Sequence, residues 1–495
     1  MTTVKDASLS DALIPIVSLI ILLALSVSLF GDGASAGPNQ IVLITCAAIA
    51  CGIAVRNGHR WDDLQTAMIE GIGTAMGAIM ILLAVGALIG TWMMAGTVPS
   101  MIYYGLKLMN PQYFLAATCL ICAITSVSIG SSWTVAGTLG VGLIGVSMGL
   151  GISPAITAGA IVSGAYFGDK MSPLSDTTNL AAAVVETDLF DHIRHMAWTT
   201  GPSFIIALLI FTLIGIGSEV SSDGETLAIT MKALNESFNI TLLTLIPLAV
   251  VLFLAMRRVP PLPTILFGAL LGGLTAIALQ PEVVLEFAQA PETGAILGYT
   301  KGVWLALADG FVSSTGNAEV DNLLSRGGMS SMLTTIWLII SALAFGAVLE
   351  YAGMLSRLIK SALNAAKSTG ALVATVVGSC IGVNIIAGEQ YMAVVLPGKM
   401  FKAEFTRRKL DSRNLSRTIE DAGTLTSPLV PWNTCGAYMA ATLGVATFAY
   451  LPFAFFNLIN PLVAIYYGYT GITIKHLDED ELASAYGAIR NSDRR

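Results

Sequence analysis

The chain has 495 residues, of which 55% are hydrophobic and only 12% charged, with a formal net charge of −7. Soluble domains carry roughly 25% charged residues, so a soluble globular protein is excluded. A mildly acidic balance gives no footing for nucleic acid, and it says little about partners where most of the surface faces lipid.

Taken in chain order, the first apolar run covers residues 13–30. Only Lys5 is basic ahead of it and no small-residue cleavage site follows, so it reads as a span and not as a cleaved signal. Further apolar runs at 41–55 and 79–92 are long enough to cross once flanking small residues are counted. Cys119 and Cys122 lie in another apolar stretch, with no second pair and no nearby histidine; buried packing is the plain reading for them and for Cys46, Cys51, Cys380 and Cys435. A polar patch follows, Ser126, Ser128, Ser131, Ser132 and Thr134, drawn here as the tip of a re-entrant hairpin, although two full spans satisfy the same pattern.

Next comes Gly168-Asp169-Lys170-Met171-Ser172-Pro173-Leu174-Ser175-Asp176-Thr177-Thr178-Asn179. An ionisable side chain at mid-membrane costs about 2.5–3.5 kcal/mol on insertion scales, and such residues mark ion or substrate paths. Ser172 and Pro173 should break the helix, because proline lacks an N–H and serine competes for backbone bonds. A broken helix that bares carbonyls beside carboxylates and hydroxyls is how secondary transporters build cation sites. Asp169 and Lys170 are adjacent and need not pair; for each, a purely structural bond stands beside the functional reading. Asp176 reads as a cation ligand, with a helix cap as its alternative. His192 and His195 read as an interfacial face, with pH sensing as the alternative.

A span at 205–216 leads to a polar linker near Ser222–Asn239, then runs at 240–256, 265–279 and 336–349. Glu350 at the end of the last reads as structural. A second tip carries Asn384, Glu389 and Gln390, and a second break runs from Asp421 to Thr434, with Ser427, Pro428, Trp432 and Asn433. Glu404, Asp411 and the acidic run 478–481 read as solvated faces. The last apolar run is 449–467.

The halves repeat. Gly130-Ser131-Ser132-Trp133 to Gly140 matches Gly388-Glu389-Gln390-Tyr391 to Gly398, and Gly168-x-x-x-Ser172-Pro173-Leu174 matches Gly423-x-x-x-Ser427-Pro428-Leu429. Ala95-Gly96 matches Ala352-Gly353, and Glu70-Gly71 matches Asp309-Gly310, all in the same order. Placing the N-terminus inside puts 20 of the 25 Lys and Arg residues on that side, four outside and Lys170 in the break. The loop after Gly398 is rich in Lys and Arg, whereas its counterpart after Gly140 has none, so equivalent loops face opposite sides.

The expected fold is therefore an all-α polytopic membrane protein. It has two inverted-topology repeats of about five spans, each with a re-entrant hairpin and a broken helix. Residues 1–217 form the first repeat, 218–238 an extracytoplasmic linker, 239–470 the second repeat and 471–495 a cytoplasmic tail. The cation and proton site is expected from Ser131, Ser132, Asp169, Asp176, Thr177, Thr178 and Asn179 on one side, and Glu389, Gln390, Asn433 and Thr434 on the other. Asp176, Thr177 and Ser132 are the expected Na+ ligands, since hard cations take oxygen. No nucleophile–base pairing or metal-ligand spacing favours an enzyme, and no cofactor is called for.

Residues 167–181 (FGDKMSPLSDTTNLA) and 187–203 (TDLFDHIRHMAWTTGPS) resemble the NhaC family of sodium/proton antiporters, as do 388–398 (GEQYMAVVLPG) and 415–445 (LSRTIEDAGTLTSPLVPWNTCGAYMAATLGV). The resemblance covers nearly the whole chain. It implies exchange of cytoplasmic Na+, or Li+, for external H+ by alternating access, in a multi-pass protein of a prokaryotic inner membrane with both termini cytoplasmic. It also implies a homodimer with elevator-like motion. Similar proteins exchange malate and lactate or carry amino acids, so a Na+- or H+-coupled carrier of a small organic anion or amino acid is the alternative, with Lys170 and Trp432 as candidate solute contacts.

Overall fold

The computed structural model describes residues 4–217, 224–289, 294–314 and 318–477. Among these the chain is helical throughout, with only two isolated bridges, Phe311 with Arg326 and Leu410 with His476. Nine of the described helices are long and apolar enough to cross a membrane, or up to eleven if two sharply bent pairs each count as one span. Both helices flanking the first tip, Pro111–Ile129 and Ser132–Gly149, reach spanning length.

Two sets of helices carry the site. The first begins with α1 (Leu9–Phe30), α2 (Pro38–Arg56) and α3 (Met76–Met94). Then α4 (Phe114–Ile129) turns at Gly130 into α5 (Ser132–Gly149). α6 (Pro154–Met171) stops at Ser172 and resumes as α7 (Asp176–Val184), ahead of the long α8 (Leu189–Gly217). The second set has α9 (Ile246–Met256), α10 (Pro261–Leu279) and α11 (Leu333–Tyr351), then α12 (Thr369–Ala387) turning at Gly388 into α13 (Gln390–Arg407). α14 (Ser412–Ile419) runs through a π turn, Glu420–Thr424, into the second break; α15 (Thr434–Leu443) and α16 (Phe455–Thr470) complete it.

Local backbone geometry recurs at two of the matched positions, while Gly71, inside the helix Trp61–Thr74, differs from the left-handed Gly310 at φ 89°. α3 and α11 each have 19 residues, and each ends on an Ala-Gly pair whose glycine is left-handed: φ 74° and ψ 8° at Gly96, φ 70° and ψ 9° at Gly353. The tip glycines are also left-handed, at φ 77° for Gly130 and 66° for Gly388, a conformation that favours glycine. The next residue, Ser131 or Glu389, is extended and caps the following helix. A Cβ at Gly130 would meet the Leu174 Cβ at 2.7 Å, so each tip sits directly on the adjoining break.

The breaks differ by an insertion. After Leu174 the capping Ser175 follows at once, whereas Val430-Pro431-Trp432 separate Leu429 from the capping Asn433.

The six cysteines are buried and unpaired, in line with the packing reading. Several polar readings are corrected. Glu404 is buried because it pairs with Arg407 and Arg408, and Asp411 is buried because it caps α14 and pairs with Arg413. His192 and His195 are buried too, not interfacial; the His192 Nδ1 lies 2.8 Å from the Ser416 hydroxyl. Of the linker, residues 224–237 form a helix, while 218–223, like the acidic run 478–481 and the rest of the tail to 495, lie outside the described residues.

Candidate functional site

The site begins with how closely two helices approach. Gly164 and Gly168 on α6 face α4, where a Cβ would come within 2.1 Å of the Cys119 carbonyl oxygen and 2.4 Å of the Ser126 Cβ respectively. Small residues let the backbones touch, and the Ser126 hydroxyl donates to the Ala165 carbonyl at 2.6 Å. This contact lays the first tip against the end of α6. The Ser132 hydroxyl then donates to Asp169 Oδ2 at 2.6 Å, and the Ser132 N–H reaches the same oxygen at 3.3 Å. The other oxygen, Oδ1, is buried with no hydrogen-bond partner.

Asp169 lines a cavity of about 260 Å³ between the two sets of helices. Ser131, Ser132, Asp176 and Thr177 line it from the first half; Glu389, Gln390, Thr434 and Cys435 line it from the second. Eight residues expected at the site from sequence are thus gathered around one space.

Their roles are unequal. Asp176 is not the cap of α7, since Ser175 takes that place; the Asp176 carboxylate accepts from the Thr177 N–H at 2.9 Å and from the Tyr391 hydroxyl of the second half. Glu389 is the capping carboxylate, accepting from the Met392 N–H at 2.8 Å. The Gln390 side-chain oxygen accepts from the Ser427 hydroxyl at 3.2 Å and the Cys435 thiol at 2.6 Å.

The remaining three expected site residues do not line the cavity. The Thr178 hydroxyl donates to the Lys170 carbonyl at 3.0 Å. Asn179 is exposed and ties back to the Pro173 and Ser175 carbonyls. Asn433 caps α15 and bonds Asn384 across the second tip at 3.0 Å. Ser172 and Ser427 serve the breaks: Ser172 donates to the Val127 carbonyl at 2.8 Å, and Ser427 also bonds the Thr424 carbonyl at 2.7 Å. Pro173 and Pro428 stand beside them where the helices stop.

Behind the cavity lies a polar group that the sequence reading did not assemble. Lys170 and Asp421 are both fully buried and form an ion pair. The same Asp421 oxygen accepts from the Thr199 hydroxyl at 3.0 Å and the Asn460 amide at 2.8 Å. The neighbouring Glu420 is buried and accepts from the Thr177 hydroxyl at 3.2 Å, linking this group to the cavity wall. Two adjacent acids a few residues ahead of the second Ser-Pro-Leu break were the available signal for Glu420. Nothing local to the sequence pairs Lys170 with a residue 251 positions away.

Among the described residues, no Lys, Arg or His lines the central cavity. Among the described residues, no group of three or more His, Cys, Asp or Glu side chains is placed to hold a metal ion. The chemistry on offer is three carboxylates, Asp169, Asp176 and the capping Glu389, with neutral hydroxyl and amide oxygens. That set suits a weakly held, dehydrated hard cation better than a resident transition metal.

Comparison with known proteins agrees with this chemistry. The model of the Na+/H+ antiporter family matches residues 164–472. The chain is 43% identical over 451 residues to the Na(+)/H(+) antiporter NhaC of Alkalihalophilus pseudofirmus, covering 90% of this chain and 93% of that one. It is 38% identical to the malate-2H(+)/Na(+)-lactate antiporter of Bacillus subtilis, covering 88% and 90%. It is 35% identical to the arginine/ornithine antiporter ArcD of Halobacterium salinarum, covering 96% and 95%.

Proposed function

The chain belongs to the Na+/H+ antiporter family, and from that premise we propose that it exchanges cytoplasmic Na+ for external H+ by alternating access at the cavity lined by Asp169 and Asp176. The observation that carries this reading is the Asp169 carboxylate. Asp169 lines the cavity with one oxygen held by Ser132 and the other, Oδ1, buried without a hydrogen-bond partner. A buried carboxylate without a counter-charge is costly in low dielectric, so the site favours being loaded with either a proton or a cation. Na+ would take oxygens from Asp169 or Asp176 with Ser131, Ser132, Thr177 and Thr434 around it. Protonation removes the charge that holds Na+, and Na+ displaces the proton. If the empty site crosses poorly, the two ions are coupled. Glu389, already used as a cap, tunes the cavity through its charge.

The two halves are read as inverted repeats, supported by the recurring glycine geometry and by the one-sided distribution of Lys and Arg. The protein is placed in the inner membrane of a prokaryote with both termini cytoplasmic, as a homodimer. Light scattering in detergent tests the dimer.

The relatives named for malate, lactate, arginine and ornithine keep the alternative alive: coupled transport of an organic anion or amino acid. The cavity counts against an anion, because among the described residues no cationic side chain lines it. Lys170, a candidate contact for such a solute, is committed to Asp421, and Trp432 lines a different cavity. Purified protein in proteoliposomes decides between the readings. Adding NaCl or LiCl alone should drive proton movement, whereas KCl should not. Strict dependence on malate, lactate or an amino acid would select the alternative.

A further inference from the structure

Two more cavities flank the central one, and they are built alike. One, of about 420 Å³, lies between the first break and the turn joining α9 to α10: Gly130, Pro173 and Leu174 on one side, Arg258 and Pro260 on the other. The second, of about 800 Å³, lies between the second break and the turn joining α1 to α2: Pro431 and Trp432 on one side, Gly31 and Ala34 on the other. Each therefore pairs the break of one half with the first helical turn of the other. Leu174 and Trp432 hold the same place, immediately before the capping residue and against the tip glycine.

The cavities differ in what they reach. The first shares Ser131, Asp176 and Pro261 with the central cavity, so it opens onto the carboxylates. The second shares no lining residue with it among those described. The wall between them is the stretch Trp432-Asn433-Thr434: Trp432 faces the outer cavity and Thr434 the central one. The indole N–H of Trp432 is bonded to the Ile385 carbonyl at 2.6 Å, and the Thr434 N–H to the Gly388 carbonyl at 2.9 Å. The three inserted residues close the path that the shorter first break leaves open.

We infer that the cavity beside Trp432 is the second entrance to the ion site, reached from the membrane face opposite Arg258, and that Trp432 is its gate. This rests on the alternating-access reading. In the state described here the site is open on the Arg258 side and shut on the other. Opening the far side requires the indole to leave the Ile385 carbonyl and the second break to part from the tip at Gly388. Closing the near side requires Leu174 and the Arg258 turn to approach, without an indole to seal them. The larger plug of the second half and the smaller one of the first are thus the two gates of a single site.

Cysteine accessibility in sided membrane vesicles tests this, with a small cationic, membrane-impermeant thiosulfonate as probe. Cys435, which lines the central cavity beside Thr434, is replaced by Ser throughout, and the other five buried native cysteines are controlled by running that background in parallel. Thr335→Cys, in the second cavity, should react from the face opposite Arg258. Thr434→Cys should react from the Arg258 face and at least tenfold more slowly from the other. Adding Trp432→Ala should raise the slow rate about tenfold, and Trp432→Phe, which keeps the bulk but loses the N–H, should raise it less. A Thr335→Cys that stays unreactive from the far face would make the cavity a lipid-filled crevice and overturn the proposal. A slow Thr434→Cys rate unchanged by both tryptophan variants would remove Trp432 as the gate. Na+-driven proton movement by the parent protein in the same vesicles is a separate readout: its absence would sink the exchange reading and leave the labelling result standing.

Discussion

Asp169 lines the cavity with one carboxylate oxygen on Ser132 and the other buried without a hydrogen-bond partner, which is why we propose that an ion or a proton meets its charge. Asp169→Asn and Asp176→Asn should each cut Na+-driven proton movement by at least about tenfold while the protein still folds, because an amide keeps the shape but cannot trade a proton for a cation. Dye-reported proton flux in proteoliposomes checks this, with near-normal exchange by either variant excluding that residue. If one proton competes with one Na+, apparent Na+ affinity should fall about tenfold for each unit that pH drops, since binding then displaces that proton. A flat profile across the acid range would rule out competition at a shared carboxylate. Glu389→Gln should shift that profile modestly and cost helix stability, since its carboxylate caps α13. The sequence showed which residue types gather near the breaks, because charge inside an apolar run is conspicuous. It did not show orientation: Asn179 sits in the same motif as Asp176 yet turns back onto the Pro173 carbonyl.

At the scale of helices, the contact of α4 with α6 decides whether Ser132 reaches Asp169. Gly168→Ala would put a Cβ 2.5 Å from the Ala123 carbonyl oxygen and the Val127 nitrogen, both backbone. Overpacking of that kind costs roughly 1–3 kcal/mol, so this variant should lose thermal stability and exchange together, as read by melting in detergent and by flux. The Lys170–Asp421 pair makes a sharper case. Removing one partner of a buried pair costs about 3–5 kcal/mol because a charge is left behind. Lys170→Met should therefore be strongly destabilised, and Lys170→Met with Asp421→Asn should recover much of the loss. Equal instability of the single and double variants would mean that the pair is not what holds these two elements. The breaks themselves were legible, since Ser-Pro-Leu recurs at both. The three-residue lengthening of the second was visible as sequence but carried no meaning until the tip at Gly388 was seen packed on it.

Over the whole molecule, four short matches suggested a repeat, and the glycine dihedrals recur at two of them, the tips and the ends of α3 and α11. What sequence could not supply was the pairing of each break with the opposite half's first turn, because Pro173 and Arg258 stand 85 positions apart and Pro431 and Gly31 stand 400 apart. The proposed inversion makes a topological prediction. Cysteines at the exposed positions Asn235 and Asn364 should label from opposite faces of the membrane, and labelling from one face would sink the inversion. The central cavity also has a consequence for energy supply. Three carboxylates, Asp169, Asp176 and Glu389, line the same space; with Glu389 committed as the cap of α13, Asp169 and Asp176 remain, one more than a single Na+ requires. A cycle that returns both as protonated acids carries two protons inward for each Na+ expelled and moves one net positive charge inward. An interior-negative potential then drives sodium out with about 2.3 kcal/mol per 100 mV. Such a cell can go on expelling sodium when its surroundings are more alkaline than its cytoplasm, with voltage in place of a proton gradient as the fuel.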